Sequence, residues 1–267
     1  MPSIAMLCTV AVCATGAAAP PDPAAAVAAA LPGSDAAEVR ADLRAAAAAT
    51  GRSLAATAEK ALREIQQDRA RGDAEARAAA SGTDTAEAAK AGAPGGAAAA
   101  PGGAAARGGV GLFGDSQGDQ RLVRARQVGD AYYTPSRTGG VDHGHVGLYT
   151  AVDQITEITA GRRVYTIPYH GRWVQRRSAL FEVRASTAAR VGAAAWALSR
   201  VGVDPYSYNF ATNRITGHLG AKNCSKLVWS AYRATAGLDL DANGGLGVYP
   251  RDVRDAAQST TYRLIGG

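Results

Sequence analysis

Cysteine is scarce in this sequence: three residues in 267, at Cys8, Cys13 and Cys224. There is no Cys-x-x-Cys pair and no pair of histidines four apart on a helical pattern. The common structural zinc frameworks therefore have no ligand spacing to build on. A set drawn from His143, His145, His218 and Cys224 is the remaining metal alternative, and the reading adopted here has no metal and no cofactor. Aromatic residues make up 6% of the chain. They are nearly absent before residue 107, where alanine crowds instead, so the globular domain lies in the second half. No aromatics interleave the basic residues in a recognised pattern, which argues against nucleic acid as a partner. No repeat of solenoid length occurs. No apolar run is long enough for a convincing membrane span; residues 4–19 are apolar, but the run is short and rich in small residues.

That run ends in small residues and resembles a secretory signal peptide over residues 1–18. Cleavage is expected near Ala18, because Pro20 would hinder a cut just before it. No Lys or Arg precedes the run, which departs from the usual pattern. If the leader is removed, Cys8 and Cys13 leave with it. Cys224 is then the one cysteine of an exported protein, without an intramolecular disulfide partner, and marks itself as a reactive thiol.

From Asp35 to about residue 72 the pattern is helical. Asp35 with Glu38 makes a capping pair, and Gly51 divides the stretch in two. The apolar stripes, Val39/Leu43 and Leu54/Ala58/Leu62/Ile65, are thin, so these helices are expected to pack weakly. Residues 80–111, with two Ala-Pro-Gly-Gly-like pieces, read as a flexible linker. The domain proper is expected over 118–267. Residues 111–267 carry 19 Lys and Arg against 12 Asp and Glu. Arg162, Arg163, Arg172, Arg176 and Arg177 crowd one stretch of it. A basic exported domain suits an anionic cell-wall polymer or an acidic membrane surface, although a solvated basic face with no ligand has the same composition.

Within the domain, Gly129–Tyr133 begins a strand. From His145 to Val152 the period is two, with Val146, Leu148, Thr150 and Val152 on one face and His145, Gly147, Tyr149 and Ala151 on the other. A second strand, Ile155–Thr159, follows at once. An odd-length connection centred near Val152 sets Glu157 opposite Gly147, one diagonal step from His145 on the same face. A two-residue loop would send Glu157 to the other face. Further strands are expected at Val164–Ile167 and Ala179–Arg184, then a helix capped by Ser186 and closed by Gly202. Asp239-Leu-Asp-Ala-Asn-Gly244 imitates half of a calcium loop, but Pro250 stands where a bidentate Glu is required, so it reads as a turn.

A further helix carries the thiol. Leu227, Val228, Ala231 and Tyr232 form an amphipathic stripe, Asn223 is the N-cap and Gly237 the stop. Cys224 falls on the first turn, where unpaired N–H groups and the helix dipole favour a thiolate. Lys222 and Lys226 flank it and act in the same direction. A small buried hydrophobe at a helix start is the plain alternative. With Cys224 as nucleophile, His145 as base and Glu157 orienting the ring, the logic of a nucleophile–base–orienter triad is met. His143, beside Asp142, is the competing base.

His-Val-Gly-Leu-Tyr at 145–149, Glu157, Asp-Pro-Tyr at 204–206 and Asn-Cys-Ser-Lys-Leu-Val-Trp at 223–229 together resemble the NlpC-type hydrolases of the papain superfamily. Histidine precedes cysteine here, which is similar to the circularly permuted YiiX/YycO-type branch. The resemblance covers about residues 120–262. It implies an α+β, papain-like fold, a small antiparallel sheet packed on helices, and cysteine hydrolysis without a metal. By position it assigns Cys224 as nucleophile, His145 as base, Glu157 as third polar residue and Tyr206 as a substrate-side tyrosine. An exported hydrolase of amide bonds, most plausibly in peptidoglycan peptides, is the leading expectation. A lipid amidase or acyl-transfer enzyme is the second, and a non-catalytic wall-binding module the third.

Overall fold

A computed structural model of the chain describes residues 22–81, 118–138 and 141–266. The expected leader at 1–18, with Cys8 and Cys13, lies outside these residues. So does the 80–111 stretch apart from its first two residues.

Three helices come first: α1 (Pro23–Ala29), α2 (Ala36–Thr50) and α3 (Leu54–Ser81). Asp35 caps α2 by accepting from the Ala37 and Glu38 amides, both at 2.9 Å. Gly51 ends it in the left-handed region at φ 65°, a conformation that costs glycine nothing. Ten strands and three more helices follow: β1 (Gln120–Arg121), β2 (Ala131–Thr134), β3 (Arg137–Thr138), β4 (Val141–Asp142), β5 (His145–Ala151), β6 (Gln154–Glu157), β7 (Tyr165–Pro168), β8 (Trp173–Val174), β9 (Ser178–Val183), α4 (Thr187–Leu198), α5 (Cys224–Ala236), α6 (Pro250–Asp255) and β10 (Ser259–Ile265). The chain is thus mixed α+β. Six strands pair in the order β10-β9-β2-β5-β6-β7, every pair antiparallel.

Alternation along the strands separates two apolar layers. On one face Ala131, Tyr133, Val146, Leu148 and Phe181 pack with Ala193 and Ala197 of α4 and Leu227, Val228 and Tyr232 of α5. On the other, Tyr132, Tyr149, Ile155 and Leu180 are covered by Leu122, Ala125 and Val174, around the short β1–β8 ribbon.

The N-terminal helices do not pack weakly. Val27, Leu31, Val39, Leu43, Ala58, Ala61 and Ile65 are all buried in the same layer as α4 and α5. The apolar stripes are narrow, but fully buried alanines let the backbones close up around them. Polar contacts then fix the docking. Arg251, 1% exposed, meets Asp68 at 3.2 Å, Glu75 at 3.3 Å and Asp142. Arg71 reaches Asp252 at 2.7 Å and Asp255 at 2.8 Å. The Glu64 carboxylate accepts from the Leu246 and Gly247 amides.

Candidate active site

β5 and β6 form the hairpin on which the site depends. Leu148 pairs with Thr156 and Tyr149 with Ile155, with an irregularity between Tyr149 and Ala151. Continuing that register sets Glu157 against Gly147, so His145 and Glu157 share a face. His145 Nε2 lies 2.8 Å from Glu157 Oε2. Both residues are buried, at 1% and 0% exposure. The space that Gly147 leaves beside the histidine is filled by Tyr132, whose ring a Cβ at Gly147 would overlap.

Glu157 is the most densely contacted carboxylate of the site. Tyr132 donates its hydroxyl to Oε2, and Tyr165 donates to Oε1 at 2.7 Å. The Arg172 guanidinium stands 3.6 Å from Oε1. Burial alone would drive this carboxyl's pKa up. The Arg172 charge, the His145 contact and the Tyr132 hydrogen bond together overcome it and hold the group well below the usual carboxylate range. The carboxylate is therefore ionised inside the protein and fully occupied as an acceptor. Burial of the same cluster raises the Tyr132 and Tyr165 hydroxyls well above their ordinary value, so both act as donors.

Arg172 corrects the reading from sequence, where it was counted with the surface basic residues. It is buried and turned inward to the carboxylate. Tyr132, Tyr165 and Arg172 were all missed as site residues. The one available signal was the parity of Tyr132 and Tyr165 with His145 and Glu157, and it requires the whole strand order to interpret.

Cys224 begins α5. Asn223 caps that helix, its Oδ1 accepting from the Lys226 amide at 3.0 Å. The cap is itself anchored: Asn213 Nδ2 donates to Asn223 Oδ1 at 3.0 Å, and Asn223 Nδ2 donates to the Asn209 carbonyl at 3.3 Å. Ser225 Oγ donates to the Val248 carbonyl at 2.7 Å. The flanking lysines are committed elsewhere. Lys222 Nζ is paired with Asp204 and donates to the Gly220 carbonyl at 2.6 Å. Lys226 Nζ donates to the carbonyls of Asn213 and Thr216, and burial pushes it down to about 7. They do not form the pair of free cations beside the thiol that their spacing suggested.

α5 packs on β5. Cys224, 1% exposed, belongs to the layer of Val146 and Leu148, whereas the His145 ring stands 5.9 Å from that of Tyr132 in the opposite layer. Among the described residues Cys224 Sγ makes no hydrogen bond, so thiol and imidazole are not in hydrogen-bond contact. The structure thus joins His145 to Glu157 directly and brings Cys224 to the same strand without closing the last contact.

His143 has other contacts. Its Nε2 lies 2.8 Å from Thr138 Oγ1, and its ring centroid 5.5 Å from that of Phe210. The rival carboxylate Asp142 is bound by Arg251 and, at 3.5 Å, by Arg137. His218 pairs with Ser230 at 3.1 Å. Among the described residues no three His, Cys, Asp or Glu side chains are grouped to hold a metal ion. Tyr206 bridges through its backbone to Lys222, two residues before Cys224. It also lines a shallow, largely apolar pocket with His143, Tyr208 and Phe210, facing Leu31 and Ile65 of the N-terminal helices.

No protein-family model matches the chain. It is similar to the uncharacterized protein YycO of Bacillus subtilis (strain 168), with 48% identity over 157 residues, 59% of this chain and 63% of the relative. The chain therefore spans less than two thirds of that protein's length. Among solved structures it matches the crystal structure of the metalloprotein YiiX from Escherichia coli O157:H7 at 16% identity, covering 52% of this chain and 97% of that one. The TM-score of that match, 0.32, is too low to carry an argument about fold or mechanism.

Proposed function

We propose that the chain is an exported cysteine hydrolase that cleaves an amide bond, most plausibly in peptidoglycan peptides, on a permuted papain-like arrangement of its strands and helices. The observation that carries this reading is the buried 2.8 Å bond between His145 Nε2 and the ionised Glu157, on the strand against which the Cys224 helix packs. In the reaction, the Cys224 thiolate attacks the amide carbon and the C–N bond breaks. The departing amine takes its proton from His145. Water then attacks the thioester, giving up a proton to His145 and releasing the acid and the thiolate. Glu157 holds the ring through Nε2 and stabilises the imidazolium that forms. Tyr206, in the pocket beside His143, contacts the substrate.

A lipid amidase or acyl-transfer activity is the second reading, favoured by the apolar and aromatic lining of the Tyr206 pocket. Incubating the purified protein with purified cell wall and with N-acyl lipid amides, and identifying products by mass spectrometry, separates the two. Products that persist with Cys224→Ala would overturn both, and wall binding with no product from either substrate would leave the non-catalytic module.

A further inference from the structure

Seven large apolar side chains are left exposed among the described residues, and five of them fall on α4 and the chain between it and α5: Val191, Leu198, Val201, Val203 and Leu219. Val191 and Leu198 are seven apart on α4, two turns along one face. The chain then runs through Val201 and Val203, the latter 53% exposed. The turn before β7 is tied to this loop. Gly202 N donates to the Val164 carbonyl at 2.8 Å, Val164 N to the Asp204 carbonyl at 3.1 Å, and Arg163 Nη1 to the Val203 carbonyl. Exposed Arg163 therefore rims the valines on one side, while the Arg162 guanidinium next to it turns over the Tyr165 ring at 3.8 Å. Arg200 sits between Leu198 and Val201 in sequence, its guanidinium 5.7 Å from the ring of half-buried Trp196. Leu219 joins the patch where Gly220 N reaches Asp204 Oδ1 at 3.3 Å. Asp204 is itself buried against Lys222, so its charge is internal. Beyond Leu219 the surface turns acidic at Glu38 and Asp42, which bounds the patch.

We infer that this patch docks on the surface of an anionic phospholipid membrane, with the aliphatic side chains entering the acyl boundary and the arginines meeting the headgroups. An apolar centre with an arginine rim is the composition of an interfacial anchor. Grouped exposed apolar residues on a soluble face call for an occupant. Branched aliphatics, in place of the buried aromatic anchors of a protein interface, favour lipid as that occupant. The anchor needs no part of the catalytic reading. It would nonetheless set the head of α5 near the membrane edge, since Lys222 is held to Asp204, which directly follows Val203.

Sedimentation of the full chain with vesicles tests it, using equal phosphatidylglycerol and phosphatidylcholine against phosphatidylcholine alone. The anionic vesicles should bind the chain more tightly, and high salt should remove the difference. The pair Leu198→Asp and Val203→Asp should weaken anionic binding by about tenfold or more. Arg163→Gln and Arg200→Gln should each cost about fivefold. Leu264→Asp, an exposed apolar residue on the far edge strand β10, should change nothing. Folding is checked by circular dichroism, and Leu198→Ser with Val203→Ser reads the same loss if the aspartates prevent folding. Equal binding to neutral vesicles overturns the inference. So does unchanged binding by the patch variants, or retention on purified wall polymer without retention on vesicles.

Discussion

Replacing Glu157 by Gln removes one negative charge from a site with no solvent to compensate it. His145, Tyr132, Tyr165 and Arg172 all lie against that carboxylate. The amide can still accept one or two of these hydrogen bonds, but it no longer offers the buried Arg172 guanidinium a counter-charge on this side. Breaking a buried ion pair in this way costs about 3–5 kcal/mol, a large part of a normal total stability of about 5–15 kcal/mol. The catalytic effect is separate. Loss of a charge-assisted bond to the imidazolium is worth about 2–3 kcal/mol, or roughly 30- to 160-fold in kcat, with KM nearly unchanged because the bond strengthens in the transition state. Acid stability tests the same charge. The folded carboxyl is held far below its unfolded value, so its stabilising contribution is complete above about pH 4.3 and lost progressively as pH falls below that. Glu157→Gln should flatten this acid limb.

A second variant separates structure from chemistry. In Glu157→Gln with Arg172→Met the cation facing the lost carboxylate is removed as well, so thermal stability should return towards that of the parent while kcat stays low. Recovery of both together would make Glu157 a packing residue only and remove it from the reaction. Asp142 gives a further check. It is bound to Arg251 and Arg137, so Asp142→Asn should affect stability more than turnover. An inactive Asp142→Asn beside an active Glu157→Gln would refute the assignment outright.

Cys224→Ala should abolish product formation on every substrate the parent accepts while leaving the melting temperature within a few degrees, read by mass spectrometry and calorimetry. Arg251→Met should strand Asp142 and Glu75 without their shared cation and lower the melting temperature by roughly 10 °C. Burial raises Asp68 to about 7 despite the Arg251 charge, so the folded form keeps a proton that the unfolded form releases near pH 4. Stability should therefore fall as pH rises from about 4 to about 7, by up to about 1.4 kcal/mol per pH unit, and Asp68→Asn should remove that slope in urea titrations. Gly147→Ala should cost about 1–3 kcal/mol by driving a methyl into the Tyr132 ring. It should lower kcat as well, since Tyr132 also supports Glu157.

The hairpin was legible because its two faces differ in chemistry. Placing Glu157 with His145 requires Gly147 opposite it, and the observed pairing of Leu148 with Thr156 has that register. The ends of α2 and α5 were legible for a similar reason: Asp35, Gly51, Asn223 and Gly237 act on backbone within a few residues of themselves. Contacts between distant segments were not legible. α6 and β10 give no periodic signal of their own, and Arg251 meets Asp68 across 183 residues. The thin stripes of α2 and α3 suggested weak packing because single-sequence reading undervalues alanine, which is fully buried at Ala46, Ala58 and Ala61. Arg172 was misplaced for the opposite reason. Its neighbours Arg162, Arg163, Arg176 and Arg177 carry exposed or half-exposed charges, and nothing local distinguishes it from them.

What the fold alone does not require is the strongest reason to look for chemistry at Glu157. A carboxylate at 0% exposure is expensive to bury, and its hydrogen bonds and ion pair roughly repay the desolvation without adding much. An apolar side chain of similar volume between Tyr132, Ile155 and Ile167 would serve the sheet as well or better. The cluster instead invests two tyrosine hydroxyls and an inward arginine in keeping one carboxylate ionised. The geometry of that carboxylate has one clear consequence: it fixes Nε2 of a buried histidine at the start of β5. An imidazole whose orientation and charge are set this firmly is suited to accept a proton and return it. The same expenditure would be wasted on a residue that only filled space.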